Sequence, residues 1–377
     1  MADHQPWPAW LRDIRSRLSV TPHYVLWGNV NDQHLIPGPD GWELVDTITA
    51  IWRALAAEGY QFVIAHHPVL GAQVLPGDIE ARHAAEAATG VQLKPDEPLE
   101  LTALENLIRK VTTQREVACG VVLHRPTRSM ADVDSMDRHE QEFFAAIEGL
   151  AAGATPKFLA GRKRHNPVFW VVDREHDLPH WLLADNPSSV RTIVVPVPGL
   201  EQRQALAGRL ASRLPGATDA LTAEQAADEL ADGSDGMLLR DLIDVVELAR
   251  DQEIPADDVD AAIRAHRIGA ADNPWRRDYL RAKVAQAERE GTVTGRVLGQ
   301  PAAVTRAFDI LKRSVLGLSG AQARSSGRRP RGVLLFVGPT GTGKTELAKA
   351  LTELILGEGV APLRFDMSEF RADQSEA

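Results

Sequence analysis

Apolar residues in the first 200 positions fall into two alternating rhythms. Residues 24–27 (YVLW), 62–65 (FVIA), 117–123, 168–172 (VFWVV) and 190–197 (VRTIVVPV) are short apolar runs bounded by polar or turn residues. Runs of that length read as strands buried on both faces. Between them lie stretches with helical spacing. Residues 1–22 place Trp10, Leu11, Ile14 and Leu18 on one face, and 100–111 do the same with Leu101, Leu104, Leu107 and Ile108. Residues 44–57 and 141–150 complete the helical set. Strands alternating with helices predict βαβ units around a mostly parallel sheet.

After residue 200 the pattern becomes helical throughout. Residues 201–214, 222–230, 238–251 and 256–266 are amphipathic. Thr222 with Gln225 three positions later has the form of a helix start, and Pro255 suits the first turn of the last segment. Residues 270–277 (AADNPWRR) mark a boundary, and 278–291 read as a charged helix or linker. The alternating pattern then resumes. Residues 332–337 (GVLLFV) form an apolar run of strand length, and from Glu346 onward Leu347, Leu351 and Leu354 share a helix face.

Composition narrows the class. With 377 residues, 44% apolar and 25% charged, the chain can bury cores for two or three domains. Its net charge of -10 argues against a generic nucleic-acid binder. The basic clusters at 324–331 (RSSGRRPR) and 161–165 (GRKRH) read as solvated loops. Cys119 is the single cysteine, so no intrachain disulfide forms, which suits a reducing cytoplasm. Its apolar neighbours mark it as a small buried side chain. No apolar stretch is long enough to span a membrane, and the first ten residues lack a signal-peptide core.

The chemistry concentrates in one loop. Gly338, Pro339, Thr340, Gly341, Thr342, Gly343, Lys344 and Thr345 match G-x-x-x-x-G-K-[ST] at every fixed position, with a strand expected before and a helix from Glu346 after. Such a loop turns backbone N–H groups onto phosphates at a helix N-terminus. Lys344 is expected to reach the β- and γ-phosphates of ATP, and the Thr345 hydroxyl to hold Mg2+. Only 32 residues follow Thr345. The metal-holding acid and water-positioning residue of a hydrolase are therefore expected beyond residue 377, and the sequence reads as a piece of a longer protein.

Three segments, 296–300 (RVLGQ), 338–351 (GPTGTGKTELAKAL) and 365–370 (FDMSEF), resemble in order and spacing the second ATPase module of Clp-type AAA+ unfoldases, over about residues 291–377. The resemblance implies that Val297 and Leu298 sit against the adenine ring, and it extends the nucleotide site to Glu346. Asp366 and Glu369 read as a strand end and a capped helix start. Residues 23–270 resemble a degenerate AAA+ module that lacks a phosphate loop. Gly28 to Asp32 stand at its place without a lysine. Asp173 resembles the metal-binding acid but is followed by Arg174, and Asn186 echoes a water-sensing residue. The residues themselves favour structural roles for both. His176 and His180 form no metal site by spacing, because Pro179 interrupts a helix between them.

The implied fold is α/β, a P-loop NTPase of AAA+ type with parallel sheets, helices on both faces and an all-helical lid. The expected domains are an α/β part at 1–199, a lid at 200–270, a linker at 271–290 and the start of a second module at 291–377. The implied function is a cytoplasmic ATP hydrolase that remodels a protein substrate as a ring-shaped homo-oligomer. No membrane or nucleic-acid partner is expected. A nucleotide-bound scaffold and a nucleic-acid motor are the alternatives. An acidic pair and an aromatic pore loop further along the gene would favour the remodelling motor, and salt-dependent DNA binding the nucleic-acid one.

Overall fold

A computed structural model describes residues 7–38, 41–131, 133–159, 161–184, 189–269, 277–315, 332–357, 360 and 362–365. Two compact units divide the chain. The first is Met1–Leu206 with Gly236–Ile243, and the second is Ala207–Asp235 with Asp244–Ala377.

The first unit begins with α1 (Ala9–Arg17), β1 (His23–Gly28), the hairpin β2 (Gln33–Gly38) and β3 (Gly41–Asp46), and α2 (Thr47–Ala56). Next come β4 (Phe62–His67), β5 (Gly71–Leu75), α3 (Ile79–Thr89), α4 (Leu101–Thr113), β6 (Cys119–His124) and α5 (Arg138–Ala152). The small hairpin β7 (Lys157–Leu159) and β8 (Arg162–Arg164) leads to β9 (Val168–Val171), α6 (His180–Ala184), β10 (Val190–Val195) and α7 (Leu200–Leu210).

Six strands form one sheet in the order β10-β1-β9-β6-β4-β5. All neighbours are parallel except β4 with the edge strand β5. The alternation of side chains decides the layers. Val25, Phe62, Ile64, Val121, Leu123, Val168 and Trp170 face a core completed by α3, α4 and α5. Tyr24, Leu26, Val63, Ala65, Val122, Phe169 and Val171 face a second core completed by α1 and α2. Both faces are covered, which is why these strands read as continuous apolar runs. The fold is therefore α/β with a Rossmann-like sheet, as the sequence pattern predicts.

Several expectations need correction. The helix expected at 44–57 begins only at Thr47, because Trp42, Leu44 and their neighbours pair with β2 in a hairpin. The Asp46 carboxylate fixes that boundary by accepting from Ile48 N and Thr49 N at 2.9 and 3.0 Å. The helix expected from Thr222 is α8 (Ala220–Gly233), and its cap is Asp219, which accepts from Thr222 N at 2.9 Å. The GRKRH cluster is not wholly solvated. Arg164 is 5% exposed and its guanidinium meets Glu58 Oε2 at 2.7 Å.

From residue 239 the helices are α9 (Leu239–Asp251), α10 (Val259–Ile268), α11 (Arg277–Glu290), α12 (Thr292–Arg296), α13 (Pro301–Val315) and α14 (Lys344–Leu356). Within the second unit, Leu280, Val284 and Ala287 of α11 join Val304 and Phe308 of α13 and Leu347 and Leu351 of α14 in one core. The segment read as a charged helix or linker is thus a helix with a buried stripe.

Candidate nucleotide site

The phosphate loop connects an extended segment to α14. Residues 332–337 pack Leu334 and Phe336 on the core of α11, α13 and α14. Val333, Leu335 and Val337 point outward at 75%, 86% and 85% exposure. The strand expected there has no ladder partner among the described residues. Its sequence is apolar on both faces, as for a central strand, and among the described residues only the inner face is covered.

Gly341 and Gly343 both adopt φ of +85°, a region that penalises a Cβ. Gly343 is also crowded, since an added Cβ would lie 3.3 Å from Val297 Cγ1. Helix α14 begins at Lys344 with no side chain capping its first turn. Its N–H groups are therefore left to backbone, solvent or a ligand. Lys344 Nζ donates to the carbonyls of Gly338 (2.7 Å) and Pro339 (2.5 Å), and Thr342 Oγ1 donates to Pro339 O at 2.9 Å. Thr340 and Thr345 are exposed. The lysine ammonium thus lies over the loop mouth, held by two carbonyls that a phosphate group could replace as partners.

The segment before α13 is tied to the same helix. Arg296 Nε and Nη2 donate to Glu346 Oε1 at 2.9 and 2.6 Å, and Nη1 reaches Glu353 Oε2. Val297 is 3% exposed within the core, whereas Leu298 is 80% exposed. The structure therefore separates the pair, with Val297 beneath the loop and Leu298 facing solvent. Asp366 and Glu369 lie outside the described residues.

The first unit presents a different arrangement at the carboxyl end of its sheet. Asp173, after β9, meets Arg128 and accepts from Asn31 Nδ2 at 3.3 Å, while Arg125 Nε lies 3.6 Å away. Burial alone would push this carboxyl up, but Arg128, Asn31 and Arg125 outweigh it and hold it below the ordinary range. Arg174 is exposed, and Asn186 lies outside the described residues. His66 Nε2 accepts from Leu99 N, and His67 Nδ1 accepts from Val69 N and Leu70 N, so this pair orders the chain around β4 and β5. No third ligand joins His176 and His180 among the described residues.

Sequence reasoning missed Asp32 and Asp46. Asp32 is 2% exposed and accepts from Leu239 N (2.9 Å), Arg240 N (3.1 Å) and Asn29 Nδ2 (3.1 Å). The signal for Asp46 was present, because Asp-Thr-x-Thr before an apolar stretch is a helix start. The Asp32 contact spans 207 residues and left no local trace.

Residues 2–196 match a family model described as the AAA+ chaperone, N-terminal Rossmann-like domain. The chain is also similar to the chaperone protein ClpB of Chlamydia muridarum, at 48% identity over 86 residues, which is 23% of this chain and 9% of that protein. It is similar to ClpB of Mycobacterium tuberculosis at 48% over 75 residues, 20% of this chain and 8% of that one. It also resembles ClpC, the ATP-binding subunit of an ATP-dependent Clp protease, from Staphylococcus saprophyticus, at 47% over 81 residues, covering 22% and 9%. The matched segments thus span under a tenth of these curated relatives. The crystal structure of the FIGL-1 AAA domain in complex with ADP aligns over 76% of this chain and 89% of that one, with 13% identity and a TM-score of 0.37.

Proposed function

Because the chain belongs to the AAA+ chaperone family defined by an N-terminal Rossmann-like domain, and is a Clp-type AAA+ protein, we propose that it binds one ATP with Mg2+ at residues 338–345. The observation that carries this reading is the uncapped start of α14 beside a lysine that covers the loop mouth. A helix N-terminus entered through glycines, with an ammonium facing it, is a phosphate receptor. Lys344 would exchange its two carbonyls for β- and γ-phosphate oxygens. The exposed Thr345 hydroxyl and the phosphates would hold Mg2+, which supplies charge neutralisation.

In this reading residues 1–199 and 200–270 form a module without nucleotide, and the second ATPase module starts near residue 291. The larger protein acts in the cytoplasm as a ring-forming homo-oligomer, and its ATP turnover drives remodelling of a protein substrate. Calorimetric titration of the chain with Mg-ATP tests the first step. One site is expected. Lys344→Ala should weaken it roughly tenfold to a hundredfold, because one charge-assisted contact is worth about 1.5–3 kcal/mol. Two sites of similar affinity, or an unchanged affinity in the variant, would refute it.

A further inference from the structure

Arg296 ties a short apolar ledge to the helix that carries the phosphate loop. It is the last residue of α12, and Val297 after it is buried against the loop, where a Cβ added to Gly343 would lie 3.3 Å from its Cγ1. One residue further on, Leu298 turns its side chain to solvent, and Gly299 at φ +75° redirects the chain toward α13. Residues 297–299 therefore place one apolar side chain under the loop and present the next one openly.

The guanidinium spans two turns of α14. Its Nε and Nη2 donate to Glu346 Oε1 at 2.9 and 2.6 Å, and its Nη1 donates to Glu353 Oε2. Glu346 follows the loop directly, and Glu353 lies seven positions on, about 10 Å along the helix. The residue between them on that face is Ala350, whose small side chain leaves room for the bridge. Each guanidinium nitrogen already serves a carboxylate of α14, so the side chain acts on the site through that helix. Its contribution to folding is small. The three side chains are 36%, 41% and 31% exposed, where ion pairs add little stability, and Val293 and Val297 already join Leu347, Ala350 and Leu351 in the core. What three converging hydrogen bonds from a rigid fork do supply is a fixed position.

We infer that Arg296 is a positioning residue that holds the ledge at 297–299 against the phosphate loop, and so makes the site select a nucleotide, with its sugar and base, over a bare polyphosphate. This rests on the reading of residues 338–345 as the nucleotide site. A polyphosphate needs only the loop. A base carried on the same phosphates needs an apolar wall at a set distance from them, and Leu298 is the exposed apolar side chain that the clamp keeps next to Val297 and Gly343.

The test compares two ligands, Mg-ATP and Mg-tripolyphosphate, titrated calorimetrically into the full chain at matched ionic strength. Arg296→Met should weaken Mg-ATP about three- to tenfold and move Mg-tripolyphosphate by less than about twofold. The pair Glu346→Gln with Glu353→Gln keeps the guanidinium but removes its anchors. It should lower the preference for ATP over tripolyphosphate by a similar factor, although it adds no negative charge near the phosphates. Arg296→Lys, which offers one ammonium in place of the fork, should fall between the parent and Arg296→Met. The ratio of the two affinities is the readout, because a general loss of structure or a charge effect on the phosphates moves both ligands together. Parallel losses for the two ligands, or an unchanged preference in both the Met and the double Gln variants, would overturn the clamp while leaving the reading of residues 338–345 in place. A parent that binds neither ligand would overturn that reading, and the inference with it.

Discussion

His23 offers the sharpest test of the packing described for the first unit. It opens β1, between Val190 of β10 and Val168 of β9, and is 0% exposed. Neither ring nitrogen has a hydrogen-bond partner among the described residues. Burial, with a smaller contribution from His165, pushes its pKa down from 6.5 to about 3. The unfolded chain takes a proton near the ordinary value, while the folded chain refuses it until the pH is far lower. Stability from the neutral ring is therefore complete above pH 6.5 and is lost as pH falls through the window from 6.5 to about 3. At 1.36 kcal/mol per unit, the whole window is worth about 4–5 kcal/mol, and the step from pH 6.5 to 5 about 2 kcal/mol. His23→Leu removes the titration and fills the same apolar space. Urea unfolding followed by tryptophan fluorescence at pH 7, 6 and 5 should show the variant losing about 2 kcal/mol less than the parent over that range. At pH 7 the variant should be at least as stable, because two unsatisfied polar atoms leave the core. Parallel pH profiles for the two proteins would refute the argument. They would mean that the ring is hydrogen-bonded or hydrated in solution.

Three further outcomes follow from named contacts. Asn166, 2% exposed, accepts from Cys119 N and donates to the carbonyls of Val111 and Val117 at 3.0–3.1 Å. Asn166→Leu strands all three groups and should cost about 2–4 kcal/mol in urea unfolding. Gly343→Ala forces a Cβ into a φ of +85° and to 3.3 Å from Val297, so it should cost about 1–2 kcal/mol in the loop and weaken ATP binding in the titration above. Cys119 is buried and its thiol is pushed up to about 12, so a thiol reagent should label none in the native protein and one per chain in denaturant.

The local patterns of the chain determined more of this protein than its remote pairings did. Runs apolar on consecutive positions marked β1, β4, β6 and β9, because a sheet covered on both faces leaves no polar side, whereas the edge strand β10 leaves Arg191 and Val194 exposed. The phosphate loop was legible because its chemistry is local, with glycines for a left-handed turn and a lysine at a helix start. The hairpin of β2 and β3 was not legible, and the helical reading from Leu44 took in the end of β3, because only the pairing with β2 and the Asp46 cap of α2 separate the two. Residues 332–337 carry the pattern of a central strand, and that pattern cannot state whether a neighbouring strand is present. Asp32 was the least visible of all. Its loop follows β1, but the amides it satisfies lie some two hundred residues later, and only the folding of α9 onto that loop creates the contact. The sequence could show that the first unit lacks a phosphate loop. Only the tertiary structure could show that Asp32, in the loop after β1, caps the distant start of α9, because buried N–H groups must find a partner and the nearest one is chosen by the fold.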